Sequence, residues 1–151
     1  MRLRFTIFMI SIAVLGLAGC GGSDGESSAP LTQAELVAKA DAVCKQSKAD
    51  IDAIQDPTDI AGLATAIDAQ LKIIEDAMNE LKELNPPENL ASDYEAWLAA
   101  LDAKLEVTKE ARDAAETGVT AEVEKAIEKL DIDTSEEEKL AKKIGFKECS
   151  T

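Results

Sequence analysis

Three cysteines, at positions 20, 44 and 149, and a surplus of carboxylates are the residues of this 151-residue chain whose types suggest chemistry; Asp and Glu number 30 against 16 Lys and Arg. No histidine accompanies them. That absence excludes Ser-His-Asp and Cys-His nucleophilic catalysis, His-bound zinc and the Glu-x-x-His motif of di-iron bundles. The cysteines form no Cys-x-x-Cys and no cation cluster stands beside one to lower a thiol pKa, so redox catalysis is not expected. Asp131-x-Asp133-x-Ser135 opens with the spacing of a calcium loop, but Glu136 stands where the loop needs Gly and Lys142 where it needs the terminal Glu. No metal or cofactor is expected. Paired carboxylates for glycoside chemistry must flank a substrate, whereas Asp68, Glu75 and Asp76 fall off the apolar stripe of their helix; a carboxylate-dependent hydrolase is the least favoured reading. Tyr94 and Trp97 stand one helical turn apart and are the candidate ligand-binding residues, since pockets are apolar with a few polar tips. The favoured reading of the pair is core filling, with the hydroxyl and indole N–H reaching solvent at the edge of the domain.

Arg2 and Arg4, the apolar run from Phe5 to Leu17 and the small residues Ala18-Gly19 have the layout of a secretory signal over residues 1–19. The run is shorter than the ~20 residues a spanning helix needs. Leu17-Ala18-Gly19-Cys20 resembles the lipobox of bacterial lipoproteins. The resemblance implies that the bond before Cys20 is cut, that its thiol is diacylated, and that the mature chain is held on the outer face of a bacterial membrane. Each buried CH₂ adds about 0.8 kcal/mol, so an anchor of several chains is close to irreversible.

Removing 19 of 151 residues leaves 132, enough for one domain with a real core. Losing Arg2 and Arg4 takes the net charge from −14 to −16. Such a surface repels phosphate backbones, so no nucleic-acid partner is expected. It also repels anionic lipid, so the domain should stand off its membrane. Met78 is the only methionine left, which argues against a thioether copper site. With Cys20 consumed by lipid, Cys44 and Cys149 remain as an even pair in an oxidising compartment. Cys44 lies on the buried stripe of the first helix and Cys149 in a tail able to fold back on it, so they are expected to form a structural disulfide.

The elements that position these residues read as helices. Residues 20–30, rich in Gly and Ser, form a tether with an r.m.s. span of roughly 17 Å. Thr32 and Glu35 have capping-box spacing with Leu31 and Leu36 as the staple, and Leu36, Ala40, Val43, Ser47, Ile51 and Ile54 mark one helical face over 33–54. Asp56 and Pro57 suit the cap and first position of a second helix, whose stripe runs from Ile60 to Leu84 before Asn85-Pro86-Pro87 stops it. A third helix starts within 87–92, where Ser92 and Glu95 offer a second capping box. It carries Leu90, Tyr94, Trp97, Leu101, Leu105, Thr108, Ala111 and Ala115, and ends at Gly118. Ser47 and Thr108, polar on these stripes, can each bond a carbonyl one turn back. Thr120 is expected to cap a piece carrying Val123, Ala126, Ile127 and Leu130. Asp131-Ile132-Asp133 interrupts it, and Thr134 with Glu137 offers a third capping box. Leu140 and Ile144 form the buried side of the last piece, closed by Gly145 and Phe146. The expectation is an all-α, up-down-up-down four-helix bundle over 31–151 with a broken fourth helix, stapled by one disulfide.

The lipobox, Ala-Asp-Ala-Val-Cys (40–44), Leu-x-x-Leu-x-Pro-Pro (81–87) and the ending Ala-Lys-Lys-Ile-Gly-Phe-Lys-Glu-Cys (141–149) together resemble the small helical lipoproteins of actinobacteria, over nearly the whole mature chain. The resemblance implies a lipid-anchored helical bundle with paired cysteines and no assigned biochemical role. The expected function is therefore non-enzymatic. It is that of a binding or interaction module of the cell envelope, with an envelope protein as partner, or alternatively a carrier of a small apolar ligand within the bundle.

Overall fold

A computed structural model describes residues 29–132 and 134–150, with backbone alone at 130–132, 134 and 135. The signal segment, Cys20, most of the tether, and the side chains of Leu130, Asp131 and Thr134 lie outside the described residues. Among the described residues there are five α-helices, a C-terminal 3₁₀ turn and no strand: α1 Gln33–Asp52, α2 Ile60–Lys82, α3 Ala91–Thr117, α4 Thr120–Ile132, α5 Thr134–Ile144 and the turn Glu148–Ser150.

Helix α1 starts as its sequence directs. The Thr32 side chain accepts from the Glu35 N–H, and the Glu35 carboxylate accepts from the Thr32 N–H at 2.9 Å. The hydrogen bond from the Thr32 side chain is the main cause that holds the Glu35 carboxyl below its ordinary pKa. Helix α2 departs from expectation. Its cap is Asp59, which accepts from Gly62 N at 2.7 Å, and Pro57 precedes the helix rather than opening it. Leu90 occupies the cap position of α3 without a side-chain hydrogen bond, and Ser92 sits inside the helix. Gly118 ends α3 in the left-handed conformation, φ 70°. Thr120 is the first residue of α4, not its cap.

Helix α3 is central. It packs against α2, α4 and α5, while α1 packs against α2 and the C-terminal turn. The ion pairs Lys82–Asp102, Lys109–Glu75 and Arg112–Asp68 run up one helix and down the other, so α2 and α3 are antiparallel.

The core has two parts. One gathers Leu36, Leu81, Tyr94, Trp97, Ile144 and Phe146 near the start of α1. The other gathers Ile67, Leu71, Leu105, Ala111, Ala115 and Val123 between α2, α3 and α4. Helix α1 supplies nothing to the second. Its apolar stripe continues in sequence, yet full burial stops at Ala40, and Val43, Cys44, Ser47, Ile51 and Ile54 are only half-buried. On α4, Ile127 is 45% exposed instead of covered.

Candidate functional site

The carboxyl-terminal tail meets α1 at a single carboxylate. Gly145, at φ 105°, turns the chain, and both its N–H and that of Phe146 donate to the Ala141 carbonyl. The Gln33 amide donates to the Ile144 carbonyl at 2.9 Å, fixing the end of α5 against the start of α1. Asp41 then accepts backbone N–H bonds from Lys147, Glu148 and Cys149, its Oδ1 lying 3.0, 3.0 and 3.4 Å away. It caps the terminal 3₁₀ turn from across the fold. One turn along α1, Cys44 is joined to Cys149 in the expected disulfide, with Cα atoms 5.3 Å apart.

The disulfide forms part of the wall of a cleft of about 330 Å³ between the second half of α1, α2 and α3. Ile51, Ile74, Met78, Leu81, Leu101 and Leu105 supply apolar walls. Ser47 and Thr108, also lining it, turn their hydroxyls back to the carbonyls of Cys44 and Lys104 at 3.0 and 2.9 Å. At one side the Lys104 ammonium pairs with the Glu137 carboxylate at 3.0 Å, the latter side chain only 12% exposed. Glu137 therefore faces inward to α3. Lys48 and Glu148 line the same space. A second cleft, about 390 Å³, lies between α1 and α2, where Gln46, Asp50, Asp76 and Glu80 line it beside Val43 and Ile73.

Tyr94 and Trp97 line neither cleft. Both are fully buried with Phe146, ring centroids 4.8 to 6.2 Å apart. The Tyr94 hydroxyl donates to the Leu81 carbonyl at 2.7 Å, and Trp97 Nε1 is buried with no hydrogen-bond partner, so neither polar tip reaches solvent as the sequence suggested. Burial raises the Tyr94 pKa well above its ordinary value.

Chemically, an oxidised cystine offers no nucleophile. The carboxylate buried at the cleft is opposed by an ammonium and not by a second buried acid; among the described residues Glu137 is the only acidic side chain that is buried. No group of three or more potential ligands that could hold a metal, and no helix long and apolar enough to cross a membrane, occurs among the described residues. The arrangement is suited to holding a molecule. Asp41, Lys104 and Glu137 were not singled out by spacing as parts of a site, because their partners lie 33 or more residues away. Comparison with protein-family models, with curated proteins and with solved structures finds no match to this chain.

Proposed function

We propose that this chain is a lipid-anchored binding module on the outer face of a bacterial membrane, cut before Cys20 and acylated there, with no catalytic activity of its own. The observation that carries the reading is the Cys44–Cys149 disulfide. Disulfides persist where the compartment is oxidising, and the segment ahead of Cys20 has the layout that exports a chain to such a compartment. The helices are arranged up-down-up-down, with α4 and α5 together as the fourth member. Ion pairs Lys129–Glu110, Lys104–Glu137 and Lys143–Asp93 support this, since α4 and α5 meet α3 at successively earlier residues as the chain advances. The bond from Leu31 N to the Asn85 carbonyl, 2.9 Å, likewise brings the start of α1 to the end of α2.

The partner is an envelope protein or a small ligand. The apolar cleft beside the disulfide favours the second of these, a carrier of a small apolar molecule, because about 330 Å³ falls at the lower end of the roughly 300–1,000 Å³ typical of ligand sites. Membrane fractionation of cells producing the full chain tests the anchoring. The native chain is expected in the membrane fraction, resistant to a high-salt wash, and Cys20→Ala as an uncut precursor without added acyl mass. A native chain released by salt overturns the reading.

A further inference from the structure

We infer that the cleft between α1, α2 and α3 binds one uncharged amphiphile with a single aliphatic chain, its polar head at the Lys104–Glu137 pair. The inference rests on the reading of the protein as a binding module, and three observations carry it. Helix α1 keeps an apolar stripe past Ala40, its last fully buried residue, and Ile51 on that stripe lines the cleft together with the half-buried Ile74 and Leu101. That is apolar surface that folding leaves uncovered, in a concave site and not on a flat face.

The charged residues that line the cleft are balanced, Lys48 and Lys104 against Glu137 and Glu148. A bare carboxylate head would meet Glu137 and Glu148, and a bare ammonium would meet the two lysines. A hydroxyl or amide head both donates and accepts, so it can add to the Lys104–Glu137 pair without opposing either charge. The chain's net charge of −14 adds a further bias against anions.

Position and size set the rest. Cys44, in the cleft wall, lies eleven residues beyond Gln33, roughly 16 Å along α1 from the end that bears the tether. The cleft and the proposed anchor therefore occupy separate places on the chain. The volume suits one short chain and not the paired chains of a membrane phospholipid.

The test is photo-crosslinking of the full chain in cells, using dodecanol that bears a diazirine and an alkyne, with the correspondingly tagged dodecanoate as the anionic comparison. Adducts are expected on peptides containing Ile74–Leu81 and Leu101–Thr108, with the alcohol labelling more than the acid. Ala77→Phe and, independently, Thr108→Phe fill the cleft, and each is expected to reduce alcohol labelling about tenfold or more. A non-reducing gel checks that the disulfide has formed in each variant. Glu137→Gln removes the carboxylate that pairs directly with the Lys104 ammonium and is expected to shift preference toward the acid. Adducts confined to residues 1–28, adducts spread evenly over outer helix faces, or labelling undiminished in both filled variants would overturn the inference. The intact mass of the same sample reports acylation at Cys20 separately, so failure of the anchor and failure of the cleft are told apart.

Discussion

The hydroxyl of Tyr94, in the first turn of α3, donates to the backbone carbonyl of Leu81, in the last turn of α2, at 2.7 Å. It ties together the two helices joined by Asn85-Pro86-Pro87, and it does so inside an aromatic cluster that excludes water. Burial raises the folded pKa above the ordinary 10.0, so the unfolded chain gives up the proton first. The stability contributed by this group is complete below pH 10 and is lost as pH rises beyond it. Tyr94 is the only tyrosine, so the tyrosinate absorbance reports one residue. In an alkaline titration it should appear together with cooperative unfolding followed by circular dichroism. A reversible titration near pH 10 with helicity intact would contradict this environment.

Asp41 holds the terminal turn through three backbone N–H groups. Asp41→Ala should cost about 0.5–2 kcal/mol, the range for losing a helix-capping side chain, and should let dithiothreitol reduce the Cys44–Cys149 bond faster by loosening the Cys149 side. Asp41→Asn keeps an acceptor and should recover most of both losses. Reduction followed by thiol labelling, beside urea denaturation, checks the pair of effects.

Removing either member of the Lys104–Glu137 pair should have unequal consequences. Lys104→Met leaves a carboxylate only 12% exposed without its ammonium, and should cost about 1–3 kcal/mol. Glu137→Gln leaves a lysine that is 39% exposed and able to reach water, so the cost should stay under about 1 kcal/mol. The double variant Lys104→Met, Glu137→Leu should be closer to the native chain than Lys104→Met alone, because no unpaired charge remains. Denaturation midpoints of the three variants give the ordering.

The disulfide closes a loop with a sequence separation of 105. Cross-linking a loop of about 100 residues removes chain entropy from the unfolded state equivalent to about 4.7 kcal/mol, an upper figure before native strain. The double variant Cys44→Ser, Cys149→Ser should keep its helical circular dichroism at low temperature, since the second core holds neither cysteine and the first keeps Leu36, Leu81, Trp97 and Ile144, but should unfold at markedly lower urea.

The helices were legible because their apolar residues recur with helical spacing and because Thr32–Glu35 and Gly118 are local signals read within a few residues. Asp59 was missed as the cap of α2 since Asp56, just before Pro57, offers an equally good local signal. The choice was made by Gly62, whose N–H reaches the Asp59 carboxylate. Glu137 has the spacing of a capping residue, yet the packing of α5 on α3 turns it toward Lys104. The cysteine pair could be foreseen by counting, whereas Asp41 could not: its partners are 106 to 108 residues distant, and nothing in its own neighbourhood marks it. The cleft was hidden for a related reason. The stripe on α1 is continuous in sequence, and only tertiary packing shows that its residues beyond Ala40 are no more than half covered.

Where the protein lives is measured most directly by the mass of the intact product recovered from cells. The predicted result is a chain beginning at Cys20, carrying added acyl mass there, and lacking the two thiol hydrogens of Cys44 and Cys149. A product that retains residues 1–19, carries no acyl group and has both thiols free would contradict it.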